Sequence, residues 1–291
     1  MKIEYTPKKF TKTSLQLIDQ ANVIIKEYLD AGYDLTLRQL YYQFVARGYI
    51  PNKQSEYSKL GSTINNARLA GLLDWEAIED RTRALSKPSS WDSPKQIIDI
   101  CARTYKRNLW NEQPTYVEVW VEKEALSGVI AQACQKYRVP YFSCRGYVSQ
   151  SEMWRAAMRY QERDNCVIIH LGDHDPSGID MTRDIEDRMR VFDVSFNVTV
   201  ERIALSMEQI EEFNPPPNPA KETDSRFLSY IENYGDKSWE LDSLNPIYLT
   251  KIIQDKIVEH IDWDAWNESL ELEEEEKESL VRVAETFLEG E

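Results

Sequence analysis

The sequence predicts an α/β protein in three parts: a helical front (1–113), a central part with a mostly parallel sheet (114–245) and an acidic helical tail (246–291). Three observations lead there. In the front, apolar residues recur at helical spacing and are interrupted by Gly and Pro. From about residue 115, short Val- and Ile-rich runs alternate with amphipathic stretches, the rhythm of a parallel sheet with crossover helices. The charge also shifts along the chain. Residues 1–115 carry 17 Lys and Arg against 13 Asp and Glu, whereas residues 201–291 carry 8 against 24. The net charge of −15 therefore sits mainly in the tail, and a DNA-binding front remains electrostatically feasible.

The front reads as three helices. Leu15, Ile18, Ala21, Ile25, Tyr28 and Leu29 form the first stripe, stopped by Gly32. Leu37, Leu40, Tyr41, Phe44 and Val45 form the second, broken by Gly48 and Pro51. In the third, Tyr57, Leu60, Ile64 and Ala67 face inward, while Lys59, Ser62, Thr63 and Asn66 face outward. Three short helices with a tight break before the third fit a helix-turn-helix or winged helix, whose last helix enters a major groove. They fit a small helical bundle with a solvated face equally well. Residues 84–114 read as a connection with one amphipathic helix near 94–107.

In the central part, strands are predicted at "TYVEVWVE", "VPYFSCRG", "NCVIIHLGD" and "SFNVTVERIAL". Helices are predicted at "EALSGVIAQACQKY", "SQSEMWRAAMRYQERD" and "SGIDMTRDIEDRMRVF". "NPPPNPA" is an irregular extended segment, followed by a helix opened at Pro246 and an acidic helix over about 264–288. The run "ELEEEEKESL" is read as a solvated helix face.

Composition narrows the function classes. No stretch is long and apolar enough to span a membrane. The start, "MKIEYTPKKFTKTSLQ", is basic without an apolar core, unlike a secretory signal. Cys101, Cys134, Cys144 and Cys166 are scattered, with no CxxC pair, and are expected as reduced thiols in a cytoplasmic protein.

The chemistry concentrates at two predicted strand ends. One strand runs into Glu122, the other into Gly172-Asp173-His174-Asp175. In open α/β sheets, ligand sites lie beyond the carboxyl ends of the strands. Three carboxylates converging there suit a hard divalent cation such as Mg2+. Gly172 permits close backbone approach, and Pro176–Gly178 turns the chain into the next helix.

Three motifs together carry a family resemblance: Val121-Glu122-Lys123-Glu124-Ala125, Cys144-Arg145-Gly146-Tyr147, and Asp173-His174-Asp175-Pro176-Ser177-Gly178-Ile179. They resemble the Toprim domain, in the version found in the A subunit of topoisomerase VI and the related meiotic double-strand-break transesterase. That family places a winged-helix domain first, with its nucleophilic tyrosine in an R-[DE]-[IFL]-[FY]-Y motif. Arg38-Gln39-Leu40-Tyr41-Tyr42 is similar, with Gln39 where the motif has an acid. The resemblance covers roughly residues 34–245 and points to a short phage- or bacterial-type relative.

The resemblance implies that Glu122, Asp173 and Asp175 hold Mg2+, with His174 a bystander, and that Tyr42, Arg38 and Glu122 are catalytic. It implies Mg2+-dependent cleavage of double-stranded DNA through a 5′-phosphotyrosyl link, in a homodimer whose tyrosine meets the partner's metal. Lys59, Asn66, Arg68, Lys123 and Arg145 are candidate DNA contacts, and Glu240 and Asp242 of "WELDSL" are candidate accessory acids. The chain contains no GHKL-type ATPase, so strand passage would require a separate ATPase subunit. Two alternatives stay open: hydrolysis of DNA by water without a covalent intermediate, and a DNA-binding module without catalysis.

Overall fold

The computed structural model describes residues 1–32, 34–79, 89–192, 194 and 197–289. It is a mixed α/β structure built around a four-stranded parallel sheet, with eleven α-helices among the described residues. Part of the expected connection, residues 80–88, lies outside the described residues.

The front opens with α1 (Lys12–Asp30), capped by Thr11, whose hydroxyl accepts from Ser14 N at 3.1 Å. Ile18, Ala21, Ile24, Ile25 and Tyr28 face inward, whereas Leu15 and Leu29, expected in that stripe, are exposed. The apolar face is thus centred on Leu17, Ile18, Ile24 and Ile25 rather than on the ends of the stripe. Helix α2 (Leu37–Ala46) begins with a capping box: Thr36 Oγ1 accepts from Gln39 N, and Gln39 Oε1 accepts from Thr36 N at 2.9 Å. Glutamine serves this box as an acid would, which gives the motif's departure at Gln39 a local structural role. Helix α3 (Gln54–Leu69) buries Leu60, Ile64 and Ala67 against α1 and α2. Strand-like pairing before α4 (Pro94–Thr104) is limited, among the described residues, to isolated bridges Glu4–Ala70 and Leu35–Ile78.

The sheet comprises β1 (Tyr116–Val121), β2 (Tyr141–Ser143), β3 (Cys166–Leu171) and β4 (Val198–Ala204), in the order β2-β1-β3-β4. Every pairing is parallel. The central strands are apolar because helices cover both faces. Val117, Val119, Val121, Ile169 and Leu171 pack on one side with α5 (Ser127–Gln135). Trp120 and Ile168 pack on the other with α6 (Gln150–Tyr160) and α7 (Pro176–Val191).

Glu118 breaks the apolar pattern of β1 and is buried, so its carboxylate needs partners. It finds them in Arg159, Tyr160 and the Trp120 indole N–H, at 2.7–2.9 Å. After β4 come α8 (Met207–Phe213) and α9 (Phe227–Tyr234), neither anticipated from the sequence. Within "NPPPNPA", Asn218–Pro219 (β5) pairs antiparallel with Lys237–Ser238 (β6).

The last two helices are α10 (Pro246–Val258) and α11 (Trp263–Glu289). Leu249, Ile253 and Ile257 of α10 enter the same core as β1 and α5. Trp266 of α11 stacks edge-on against Trp110. Within the acidic run, Glu273 is buried and receives Arg138 Nη2 at 3.0 Å and Arg107 N at 2.7 Å. The segment from 246 on is therefore built into the sheet's core, and its charge run is only partly solvated. Ile253→Ala should cost about 2–5 kcal/mol of unfolding free energy in urea denaturation, while the same truncation at exposed Leu228 should cost less than about 0.5 kcal/mol.

Candidate active site

The carboxyl ends of β1 and β3 lie side by side, because the two strands pair in parallel with Val121 opposite Leu171. Glu122 and the Gly172–Asp175 turn therefore leave the same sheet edge. Glu122 Oε2 accepts from Asp173 N at 2.8 Å, binding the two strand ends to each other. A Cβ at Gly172 would lie 3.1 Å from that Glu122 oxygen and 3.0 Å from Arg202 Nη1, so any other residue would make both side-chain ends shift by a few tenths of an ångström. Asp175 caps α7, its Oδ1 accepting from Gly178 N at 2.6 Å and Ser177 Oγ at 2.9 Å. Gly178 packs directly on the turn, where a Cβ would fall 2.3 Å from the Asp173 carbonyl oxygen.

Arg202, on β4, holds this turn from beneath. Its guanidinium donates to the carbonyls of Gly172 (2.9 Å), Asp173 (2.7 Å) and Gly178 (2.9 Å). Burial lowers its affinity for a proton, while Glu122, Asp173 and Asp175 oppose that shift. Sequence reasoning missed this residue. Within β4 the sequence shows a Glu201–Arg202 pair among Val and Ile, and Arg202 lies opposite His170 in the register. His170 is itself buried and neutral, its pKa pressed to about 3 by burial and then by Arg202.

Burial raises the pKa of both Glu122 and Asp173. For Glu122 the Asp173 amide opposes this and Asp175 adds to it. For Asp173, Lys123 opposes it, while Glu122 and Glu240 add to it. Ionised in this buried edge, these carboxylates are costly, a condition that a bound cation relieves. All three carboxylates are hard-oxygen donors. Each keeps one oxygen outside the hydrogen bonds and ion pair just described or involving Lys123 and Leu241. Among the described residues, no three His, Cys, Asp or Glu side chains converge as a ready ligand set. Mg2+ commonly takes only one or two carboxylates, with water and phosphate oxygens completing its shell, so the donors fit that ion.

The front helices meet this edge through α2. Arg38 Nη2 pairs with Glu240 at 2.9 Å and Arg38 Nε with Asp242 at 2.7 Å. Lys123 pairs with the same two acids and with Asp173, the last at 2.9 Å. Burial would lower the Lys123 pKa, but Asp242, Asp173 and Glu240 outweigh it and hold the ammonium charged. Tyr42 is buried beside Arg38, whose Nη2 donates to the phenol oxygen at 3.4 Å. Burial, then Asp242 and Glu240, raise the Tyr42 pKa, so the group is a neutral phenol in this arrangement. Arg38, Tyr42, Asp173, Asp175 and Glu240 line one cavity of about 340 Å3, with Asn52, Lys53, Asn218 and Lys221 on its rim and walls. The tyrosine and the two aspartates of a single chain thus face a common space. The resemblance had implied a tyrosine meeting the partner's metal.

The other singled-out residues divide. Lys59 and Asn66 are exposed on α3, with Lys59 3.6 Å from Glu56. Arg68 is turned inward: its Nη2 donates to the carbonyls of Trp75 and Ile78, and it lies over the Trp75 ring, so its charge serves the fold. Lys123 is likewise enclosed by carboxylates rather than displayed. Arg145 is exposed and paired with Glu124 at 2.8 Å. His174 enters an aromatic cluster, bonding Tyr230 through Nδ1 at 2.8 Å with Tyr234 and Trp239 around its ring. Burial, then Arg202, lower its pKa to about 4. Its backbone pairs with Trp239, which brings Glu240 and Asp242 to the site.

No protein-family model and no curated protein sequence matches the chain. The functional reading therefore rests on the site itself.

Two outcomes follow from the geometry. Gly178→Ala should destabilise the protein by about 1–3 kcal/mol in urea denaturation, because a backbone carbonyl cannot yield as a side chain can. A carboxyl whose pKa is raised by folding binds more protons folded than unfolded, so its ionisation opposes folding. In metal-free buffer, thermal stability should then decline from about pH 4 toward neutrality through the Asp173 contribution, and Asp173→Asn should flatten the decline. Added Mg2+ should raise the neutral-pH Tm of the parent protein and leave that of the variant nearly unchanged.

Proposed function

We propose that this chain cleaves duplex DNA in a Mg2+-dependent reaction, with Tyr42 as the attacking group. The observation that carries the reading is the cavity that Tyr42 and Arg38 share with Asp173 and Asp175. The proposal includes a winged-helix-like role for the front helices, a Toprim-like role for the sheet, and membership of the topoisomerase VI A-subunit type. The resemblance of the three motifs and of Arg38–Tyr42 supports these assignments.

One or two of Glu122, Asp173 and Asp175 would hold the ion directly, with the remaining carboxylate acting through water. When bound, Mg2+ supplies charge stabilisation at the phosphate as negative charge develops. The Tyr42 oxygen attacks phosphorus, the bond to the 3′ oxygen breaks, and a 5′-phosphotyrosyl ester forms. The phenol proton leaves Tyr42, and a proton is taken up by the departing 3′ oxygen. Arg38, already beside the phenol oxygen, favours the phenolate and can hold a phosphate oxygen. Conserving the broken bond as an ester permits resealing. Because the residues of one chain line the cavity together, a homodimer is assigned here to cutting the second strand, each chain completing its own site. Strand passage is assigned to a separate GHKL-type ATPase.

A second reading, hydrolysis by water, is favoured by one observation: burial and two nearby acids keep Tyr42 protonated in this arrangement. Supercoiled plasmid incubated with protein and Mg2+, then denatured in SDS, separates the two. The transesterase reading predicts protein on 5′ ends, lost in Tyr42→Phe, with all cutting lost in Glu122→Gln. Free ends that persist in Tyr42→Phe establish hydrolysis. Binding without cutting by the parent protein, with or without Glu122→Gln, would overturn both.

A further inference from the structure

Glu240 is held in a setting that suits a phosphate better than a structural acid. Its Oε2 takes Arg38 from α2 at 2.9 Å and Lys123 from the end of β1. Lys221, also lining the cavity, is close enough to act on it electrostatically. Two cations from separate segments thus grip one carboxylate, and a third from another segment stands near it, at the cavity that Tyr42 lines. The neighbouring Asp242 differs. Its side chain is fully buried and engages the same Arg38 and Lys123, at 2.7 and 3.2 Å. Asp242 can keep both cations in place when Glu240 leaves. Glu240, by contrast, is 28% exposed and lines the cavity, on the side from which nucleic acid would enter. The backbone on either side is fastened independently: Trp239 pairs with His174, and Leu241 N donates to Asp173 Oδ1 at 2.8 Å.

We infer that Arg38, Lys123 and Lys221 form a binding subsite for a backbone phosphodiester, and that Glu240 is an internal anion occupying it until nucleic acid displaces it. The inference rests on the nucleic-acid reading of the cavity. A carboxylate and a phosphodiester each carry one negative charge and present paired oxygens to the same guanidinium and ammonium donors. Glu240 therefore competes with DNA. It weakens binding of any duplex that does not fully engage the cavity.

Fluorescence anisotropy with a labelled duplex of about 20 base pairs, in EDTA so that no cutting intervenes, reads the competition directly. Glu240→Gln should bind at least about fivefold more tightly than the parent, with a log–log salt slope steeper by about one phosphate contact. Lys221→Ala should cost more affinity in the Glu240→Gln background than in the parent. Glu268→Gln, which removes one exposed negative charge from α11, should change affinity by less than about twofold at moderate salt. Equal affinities for the parent and Glu240→Gln, or a gain no larger than that of Glu268→Gln, would overturn the inference and leave the DNA reading standing.

Thermal stability with inorganic pyrophosphate separates the two ideas. If no duplex binds but pyrophosphate raises the Tm of Glu240→Gln and not of the parent, the anion subsite stands and the DNA reading falls. If no duplex binds and pyrophosphate is without effect, the subsite falls too. Should Glu240→Gln fail to fold, Glu240→Asp serves in its place. It retains the charge but withdraws it from Arg38 by one methylene, so it should bind duplex more tightly than the parent; unchanged affinity would count against the subsite.

Discussion

The arrangement depends on one ion-pair cluster, Arg38 and Lys123 against Glu240, Asp242 and Asp173. Surface pairs of this kind contribute little, but Lys123, Asp173 and Asp242 are largely withdrawn from water, Asp242 fully so, while Arg38 and Glu240 stay partly exposed. Removing Lys123 would leave the buried Asp242 and Asp173 short of a partner, at a cost of about 3–5 kcal/mol. The cluster also joins four segments: a front helix, the ends of the first and third strands, and the chain entering α10. Tyr42 reaches the sheet's carboxyl edge because Arg38, one helical turn away, is fastened there.

The turn after β3 supplies the second constraint. Asp173 and Asp175 are set at their positions by backbone contacts: Arg202 on three carbonyls, Gly178 against the Asp173 carbonyl, and Asp175 as the cap of α7. Each acid thus makes its structural contacts with one oxygen and keeps the other. Burial, more than the neighbouring acids, raises Glu122 and Asp173 at this edge, and Lys123 offsets part of the shift at Asp173. The acids and bases at the cavity divide by reach. Asp242 is fully buried beneath it, while Glu240 and Lys221 line it.

Much of this was legible in the sequence where local rules decide the outcome. Helices α1 to α3 follow from apolar spacing and Gly breaks. Strands β1 and β3 follow from short Val- and Ile-rich runs, and the acids at their ends from Gly172 and Pro176. What escaped depends on distant partners. Arg68 looks like a free cation on a polar helix until the carbonyls of Trp75 and Ile78 are folded onto it. Glu273 looks like one more solvated acid in a charge run until Arg138 and Arg107 N close around it. Helices α8 and α9 are short, and short apolar runs do not announce a period. That the tyrosine and the aspartates share a cavity within one chain is a tertiary fact that no spacing encodes.

If that shared cavity is where cutting occurs, one chain completes its own site. Mixing Tyr42→Phe with Glu122→Gln protein, each inactive alone, and assaying plasmid cutting with Mg2+ tests it most directly. If tyrosine and carboxylates act within one chain, every site in the mixture lacks one of the two, and cutting stays at background. Restored cutting in the mixture would show that the tyrosine of one chain serves the carboxylates of another, and would contradict the arrangement described here.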